Sequence, residues 1–202
     1  RKNKLLVNQN FIINIKKNIP HGSGLGSGSA NAADLLNYFN SKMKLKLSKK
    51  KIKRLARKIG FDVPISLERK NTFLTGEKDK ILRIKNKFSL NLLIVYPNLI
   101  CSTKKIYKLN KNLSKKNSKT FLHIKNNKKL IDFFKNQSND LEKTVIKVYP
   151  KVKKILNYIK TLKGCYFSRI TGSGSACIGI FSNINNANNA KKMINSKYPK
   201  YW

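Results

Sequence analysis

Acidic residues are scarce in this chain: 202 residues contain eight Asp and Glu against 45 Lys and Arg, so the net charge is +37. Histidine, cysteine and tryptophan are scarce as well, at two, three and one. Two histidines, His21 and His123, argue against a zinc site, because zinc sites draw mainly on His and Cys. The three cysteines, Cys101, Cys165 and Cys177, have no metal-ligand spacing, and so few fit a reducing cytoplasm.

Long apolar runs and two common nucleotide-binding motifs are also absent. No apolar run reaches the roughly 18 residues of a membrane-spanning helix, and no signal peptide is visible. No Gly-Lys pair is followed by Ser or Thr, which argues against a P-loop. The dinucleotide pattern GxGxxG fails because Ser27 or Ser29 stands where the last glycine is required.

The basic excess has a compositional explanation. Only six of the 45 basic residues are Arg, and Lys, Asn and Ile, all encoded by AT-rich codons, are abundant. The lysines run from Lys2 to Lys200 and do not alternate with aromatic residues, as they do in single-strand binders. We therefore expect a solvated basic surface with weak, salt-sensitive adhesion to polyanions and no specific nucleic-acid partner. Hydrophobic residues, at 40%, suffice for a core.

One segment near the start is rich in glycine and serine. Residues 20–33 read PHGSGLGSGSANAA, and residues 22–29, here called the glycine loop, hold four glycines and three serines. An apolar stretch at 11–15 precedes the loop, and alanines and leucines at helical spacing follow it. The order strand, glycine turn, helix predicts an anion site, most often for phosphate. A flexible Gly/Ser linker is the alternative, against which the short length and the fused Ala-rich helix argue.

Hydrophobic periodicity and breaker residues predict the other elements, which form α+β layers and not a doubly wound sheet. In chain order we expect strands within 5–15, a helix ending near Asn40, a helix over 45–58 with Gly60 as C-cap, strands at 73–74 and 81–84 around a Gly76 turn, a strand over 90–96, a helix capped by Ser102 or Thr103, a loop over 110–119, helices over 130–134, 141–148 and 152–162, strands over 166–170 and 176–181, and a helix over 187–193.

Four segments in the same order resemble the GHMP small-molecule kinases, the family of galactokinase, homoserine kinase and mevalonate kinase. Residues 20–33 resemble the family's second motif, in the doubled-glycine form GLGxGSxNAA of the branch that phosphorylates 4-diphosphocytidyl-2-C-methyl-D-erythritol. Residues 59–64 (IGFDVP) resemble that branch's Gly-x-Asp-Val-Pro segment, and 96–107 its substrate-domain strand and helix start. Residues 168–174 (SRITGSG), here called the second glycine turn, resemble the third motif, and 139–142 (NDLE) also fit.

The resemblance implies the GHMP kinase fold: a ribosomal protein S5 domain 2-like ATP domain, incomplete here, plus a ferredoxin-like C-terminal substrate domain. We place these at residues 1–86 and 87–202. The family's first motif, with its lysine and part of the cytosine pocket, would lie upstream of Arg1, so we expect an N-terminally incomplete chain that is a poor catalyst by itself. The family usually carries Gly where Ser27 stands and Ser where Ala30 stands.

The resemblance also implies residue roles in an ATP- and Mg²⁺-dependent transfer of phosphate to the substrate's 2-hydroxyl, a step of the non-mevalonate isoprenoid pathway. Asp62 would accept or orient the hydroxyl proton, and Ser29 would face phosphate or Mg²⁺. Thr103 and Tyr107 would contact the substrate, with Tyr107 against the cytosine ring. The remaining ligand contacts are implied for two groups. The ATP-binding group is Pro20, Gly22, Ser23, Gly24, Leu25, Gly26, Ser27, Gly28, Ser29 and Ala30, and the substrate-binding turn is Gly172, Ser173 and Gly174.

Each of these side chains also has a structural interpretation. Asp62 before Pro64 is a common turn or helix-cap residue. Asp140, the rival carboxylate, is expected to be the N-cap of the next helix, with Glu142 in its first turn. Tyr107 could instead be a half-buried helix residue, and the second glycine turn a tight β-turn that needs Gly anyway.

Three other functions stay open at this point. The chain could belong to another GHMP kinase of the homoserine or mevalonate type, against which Tyr107 and the Gly-x-Asp-Val-Pro segment argue. It could be a basic RNA-binding module, or a fragment without activity.

Overall fold

The computed structural model describes residues 10–75, 80–84, 87–111 and 124–202. Helices and strands alternate along these ranges without strict βαβ order. Their bounds are α1 Ser27–Lys42, α2 Lys49–Ile59, α3 Val63–Ser66, β1 Thr72–Thr75, β2 Lys80–Arg83, β3 Asn91–Val95, α4 Thr103–Leu109, α5 Asn127–Lys135, α6 Glu142–Val148, α7 Pro150–Thr161, β4 Cys165–Ile170, β5 Cys177–Phe181 and α8 Ile184–Lys197.

The first three helices pack around a small apolar core. Ala33 of α1, Ala56 of α2 and Val63 of α3 are each almost fully buried in it. The small alanine side chains let the helices approach closely, since nothing bulky separates their backbones. The antiparallel hairpin β1–β2 follows α3 directly. In this unit the glycine loop leads into the N-terminus of α1, and Asp62 lies at the N-terminus of α3.

Residues from β3 onward form a second layer built on an antiparallel sheet. Its strand order is β3-β5-β4, with helices α7 and α8 packed against it. The C-terminal residue adds to the end of β3, because Trp202 and Tyr96 exchange two backbone hydrogen bonds of 2.6 and 3.1 Å. The order strand, helices, two strands, helix confirms the ferredoxin-like expectation for this part.

Branched and aromatic side chains between sheet and helices form the main core. Ile155 and Ile159 of α7, Ile170 of β4 and Phe181 of β5 are each at most 1% exposed. Burying one such side chain contributes about 1.5–3 kcal/mol. This core holds the second glycine turn, which connects β4 to β5. No helix in the described ranges is long and apolar enough to cross a membrane.

Most predicted helices and strands are confirmed to within a few residues. Ser48 caps α2 by accepting from the backbone N of Lys51 at 3.3 Å. Gly60 ends that helix as expected, and its amide donates to Ala56 O. The Gly76 turn and nearly all of the 110–119 loop lie outside the described residues.

The strand expected before the glycine loop is wrong where the structure describes it. Residues 10–18 have no regular secondary structure, although Ile12 and its neighbours are strongly apolar. Ile12 is 93% exposed, and no described strand pairs with this segment. A strand requires a hydrogen-bonding neighbour, so β-propensity alone did not suffice.

Candidate functional site

The glycine loop has a backbone conformation that only glycine adopts without strain. Gly22, Gly24 and Gly26 have φ values of 68°, 79° and 70°. These lie in the left-handed region, where a Cβ would clash with the backbone. Gly26 is also the N-cap of α1, which begins at Ser27. The predicted glycine turn at a helix start is therefore confirmed.

Unpaired amide groups open onto free space at the start of α1. The first hydrogen bond into the helix runs from Ala30 N to Gly26 O at 3.0 Å. Within the described residues, the amides of Ser27, Gly28 and Ser29 donate to no acceptor. A Cβ built on Gly26 or Gly28 would meet nothing within 4 Å. Free N–H groups and the positive end of the helix dipole together attract an anion such as phosphate.

The other side of the glycine loop packs against the second glycine turn. Thr171 Oγ1 donates a hydrogen bond to Gly24 O at 3.2 Å. A Cβ at Gly24 would overlap Thr171 O and lie 2.8 Å from Gly174 O. A Cβ at Gly172 would in turn lie 2.9 Å from Gly24 O. The two turns thus fit together backbone to backbone, which only glycine permits at these positions.

Inward-facing polar groups hold the start of the loop. Ser23 is 2% exposed, and its Oγ donates to Pro20 O at 2.8 Å. Tyr96 Oη donates to His21 O at 3.2 Å. The Ser23 hydroxyl is therefore already used, and the hydrogen-bond donors that the loop can offer a ligand are its backbone amides.

Two side chains from before and within α6 clamp the second glycine turn. Asn139 Nδ2 donates to Gly172 O at 2.8 Å and to Ile170 O at 3.3 Å. Glu142 Oε2 accepts from Ile170 N at 2.9 Å. The turn is therefore fixed on one side by this clamp and on the other by the glycine loop.

The expectation that Asp140 caps α6 is wrong. The N-cap position belongs to Leu141, which has no side-chain hydrogen-bonding group. Asn139 takes over the local polar role, since its Oδ1 accepts from Leu141 N at 3.0 Å. Asn139 is an Asx-turn residue two positions before the amide it bonds, a geometry that competes with a cap by the next residue.

Thr103 and Tyr107 lie on α4, beside the second glycine turn. Thr103 Oγ1 is 2.9 Å from Ser173 Oγ, so the structure brings these two predicted substrate contacts together. Tyr107 follows by one helical turn and therefore shares that face of α4. Tyr107 is 59% exposed, so it is available to a ligand while part of it still packs on the protein. Ser102 caps this helix, as one of the two expected candidates.

Asp62 lies at the N-cap of α3 with its side chain exposed. The turn and helix-cap interpretation is confirmed for its backbone, which lies in a turn at the helix start, although its carboxylate makes no capping hydrogen bond. No ion pair or hydrogen bond among the described residues engages it. The next two residues, Val63 and Pro64, are buried and anchor the segment. The result is a fixed backbone that presents an unused carboxylate.

Two cysteines lie buried beneath the second glycine turn. Burial raises the pKa of the Cys177 thiol to about 12, and also raises the pKa of Cys101. Both thiols therefore stay neutral at physiological pH and act as small apolar packing groups.

A cavity of about 600 Å³ lies elsewhere, among α1, α2, α3 and β2. Asn40, Ile52, Leu67 and Arg83 are among the residues that line it, and none of its lining residues belongs to either glycine turn. We place the site at the glycine loop, because its unpaired amides can bind an anion, whereas cavity volume alone indicates no particular ligand.

Three residues of this arrangement received no role from the sequence. Thr171 and Asn139 lie inside segments that resemble family motifs, so the motifs could have suggested them. Arg83, whose side chain donates to Pro64 O and Ile65 O of α3, lies in a short strand with no motif around it, so these contacts were not detectable from sequence.

Comparison with known proteins agrees with this geometry. Residues 1–69 match the family GHMP kinases N terminal domain, and residues 122–200 match GHMP kinases C terminal. A relative from Pelagibacter ubique (strain HTCC1062), named 4-diphosphocytidyl-2-C-methyl-D-erythritol kinase, is 35% identical over 98% of this chain and 69% of its own length. A relative of the same name from Anaplasma phagocytophilum (strain HZ) is 30% identical over 96% of this chain and 64% of its own length.

Solved structures show the same fold. A crystal structure of 4-(cytidine 5'-diphospho)-2C-methyl-D-erythritol kinase has a TM-score of 0.71 at 22% identity, covering 93% of this chain and 67% of that one. Homoserine kinase from Cytophaga hutchinsonii has a TM-score of 0.65 at 14% identity, covering 92% and 65%. The chain thus spans about two thirds of the proteins that it matches. With a relative of that identity and coverage, and with its two glycine turns interlocked, the chain belongs to the GHMP kinase family, among the relatives named 4-diphosphocytidyl-2-C-methyl-D-erythritol kinase.

Proposed function

We propose that this chain belongs to an enzyme that transfers the γ-phosphoryl group of ATP to the 2-hydroxyl of 4-diphosphocytidyl-2-C-methyl-D-erythritol. The observation that carries the proposal is the open, unpaired start of α1, braced from behind by the second glycine turn. The names of the relatives supply the acceptor. The reaction belongs to isoprenoid biosynthesis, and we propose a cytoplasmic location and a division into domains at residues 1–86 and 87–202.

The glycine loop would hold the triphosphate of ATP. The amides of Ser27, Gly28 and Ser29 would donate to phosphate oxygens, and the open space at Gly26 and Gly28 admits a phosphate close to the backbone. Phosphoryl transfer relies mainly on positioning and charge stabilisation, so a rigid set of amide donors is the contribution that this fold can make.

The described residues could hold Mg²⁺ only together with the phosphates of ATP, because they offer too few ligands by themselves. Among the described residues, no cluster of three His, Cys, Asp or Glu side chains could hold a metal ion. Ser29 lies in the first turn of α1, and its hydroxyl has no partner within the described chain. That hydroxyl would help hold Mg²⁺ beside the phosphates, in keeping with the preference of this ion for oxygen ligands. The ion would neutralise phosphate charge.

Asp62 would activate the acceptor alcohol. Its exposed carboxylate would accept the hydroxyl proton while the oxygen forms a bond to the γ-phosphorus. The bond from that phosphorus to the oxygen shared with the β-phosphate breaks, and ADP leaves. Thr103 and Tyr107 would hold the substrate beside the second glycine turn, where Tyr107 offers an exposed ring for stacking on cytosine.

The test of Asp62 uses the complete gene product. Asp62→Asn removes the proton acceptor and should lower kcat by about 10²–10⁴-fold. Asp34→Asn is a matched control, since Asp34 is an exposed carboxylate on α1. It should leave kcat unchanged. Thermal unfolding of both variants should match the parent, and a normal kcat in Asp62→Asn would eliminate the proposed role.

The substrate class can be tested without turnover. A ligand that binds only the folded state raises the melting temperature by mass action. Cytidine diphosphate should raise the melting temperature, whereas homoserine and mevalonate should not. The reverse result would assign the chain to another GHMP kinase.

A further inference from the structure

Arg83 of β2 reaches across to the short helix that follows Asp62. Its Nη1 donates to Ile65 O at 2.7 Å, and its Nη2 donates to Pro64 O at 3.0 Å. Nη1 also donates to Thr72 Oγ1 at 2.6 Å. The side chain is only 19% exposed, so these bonds form largely out of water. Hydrogen bonds from a charged donor contribute more than neutral ones.

The carbonyls that Arg83 binds are ones that α3 itself cannot satisfy. α3 has four residues, so its carbonyls lie at a helix end, where no amide of the same helix follows. A helix of one turn is not stable alone and takes its position from its contacts. A guanidinium suits this task because its planar fork can serve two neighbouring carbonyls at once.

A carboxylate on the other side fixes the guanidinium. Glu68 Oε1 lies 3.5 Å from Arg83 Nε, and Glu68 Oε2 pairs with Lys70 Nζ at 3.1 Å. Hydrogen bonding by Lys70, with a contribution from Arg83, lowers the pKa of Glu68, which is therefore ionised at neutral pH. All three nitrogens of Arg83 are thus engaged, which restricts it to one orientation.

The link from Arg83 to Asp62 is short. Ile65 O accepts from Arg83, and Ile65 N donates to Asp62 O at 3.2 Å. A displacement of α3 therefore moves the Asp62 backbone directly. None of the partners of Arg83 belongs to the glycine loop, so its influence on phosphate binding should be small.

We propose that Arg83 is a positioning residue that holds α3 and thereby aims the Asp62 carboxylate at the acceptor hydroxyl. The inference rests on the proposed role of Asp62 as proton acceptor. Displacing a catalytic group by about 1 Å is enough to lower a rate by roughly 100-fold. Arg83 acts on kcat through Asp62, without touching substrate.

The experiment compares Arg83→Gln and Arg83→Lys with Lys80→Gln in the complete gene product. Lys80 is an exposed cation on the same strand, so it controls for loss of charge. We expect Arg83→Gln to lower kcat by about 10- to 100-fold with the KM for ATP within about twofold. Arg83→Lys should lose activity in the same direction, because one ammonium cannot reproduce the fork. Lys80→Gln should match the parent.

A double variant separates positioning from general damage. If Arg83 acts through Asp62, Asp62→Asn/Arg83→Gln should be no slower than Asp62→Asn alone. Losses that multiply would overturn the inference, as would a KM for ATP that rises in step with the loss of kcat. Should Arg83→Gln fail to fold, Arg83→Lys carries the same comparison.

The outcomes also distinguish this inference from the proposed function. A large loss in Asp62→Asn with a normal kcat in both Arg83 variants overturns the role of Arg83 alone. A normal kcat in Asp62→Asn removes the proposed proton acceptor, and the role of Arg83 fails with it.

Discussion

Gly24 and Gly26 share a left-handed backbone but differ in their surroundings, which makes them a matched pair. Alanine at either position should lose about 1–2 kcal/mol from backbone strain. At Gly24 the new Cβ would also press on Thr171 O and Gly174 O, whereas at Gly26 it meets nothing within 4 Å. Overpacking of this kind adds about 1–3 kcal/mol. Urea unfolding should therefore show a larger loss for Gly24→Ala than for Gly26→Ala, and equal losses would contradict the close packing of the two turns.

At the scale of single residues, the sequence predicts features that depend on neighbouring residues in the chain, such as the glycine turn. The predicted glycine turn is present, and three of its glycines have a positive φ. Contacts between distant segments could not be predicted from the sequence. Thr171 is hydrogen-bonded to Gly24, 147 positions away, and Arg83 to Pro64, 19 positions away. Such pairs depend on how the helices and strands pack, and a short stretch of sequence contains no information about that packing.

Among the elements, α2 has the most unbalanced charge. Seven of its 11 residues are Lys or Arg, and its first turn contains no acidic residue. Cations near a helix N-terminus oppose the dipole, and like charges four residues apart repel each other. The helix forms nonetheless because Ser48 caps it and Ala56 is fully buried against α1 and α3.

Charge reversal at the two ends of α2 should have opposite effects. Lys50→Glu places an acid in the first turn, four residues before Arg54, and should stabilise the protein by about 0.3–1 kcal/mol. Lys58→Glu places the same acid in the last turn and should destabilise it by a similar amount. Both side chains are exposed. Chemical denaturation at low salt measures the difference, and a stabilising effect from both variants would show that only the net charge matters.

Helices and strands were predicted best where the residues that determine them lie close together in the sequence. α2, α7 and α8 follow from apolar periodicity, which lies within each helix. The apolar run at 11–15 has the composition of a strand, yet no described strand pairs with it. Asp140 failed as a cap because Asn139 bonds the neighbouring amide instead.

On the scale of the whole molecule, the two layers meet at the glycine turns. The glycine loop contacts the turn between β4 and β5 through Gly24 and Thr171, and Tyr96 joins the start of the loop to the end of β3. The order of motifs along the sequence predicted the fold, because family motifs encode these long-range contacts indirectly. Periodicity alone indicated only α+β layers.

The net charge of +37 provides the last prediction. If the excess basic residues only form a solvated surface, the protein should bind RNA and heparin equally well at low salt. Its binding then depends only on the negative charge of phosphate or sulfate groups. Affinity should fall by about 10³-fold or more between 50 and 200 mM salt, because bound counterions are released on association. Fluorescence anisotropy with an RNA and its scrambled form measures both effects. Binding that persists at high salt and prefers one sequence would instead favour an RNA-binding role, in which case the basic residues would be a recognition surface and not a product of codon composition.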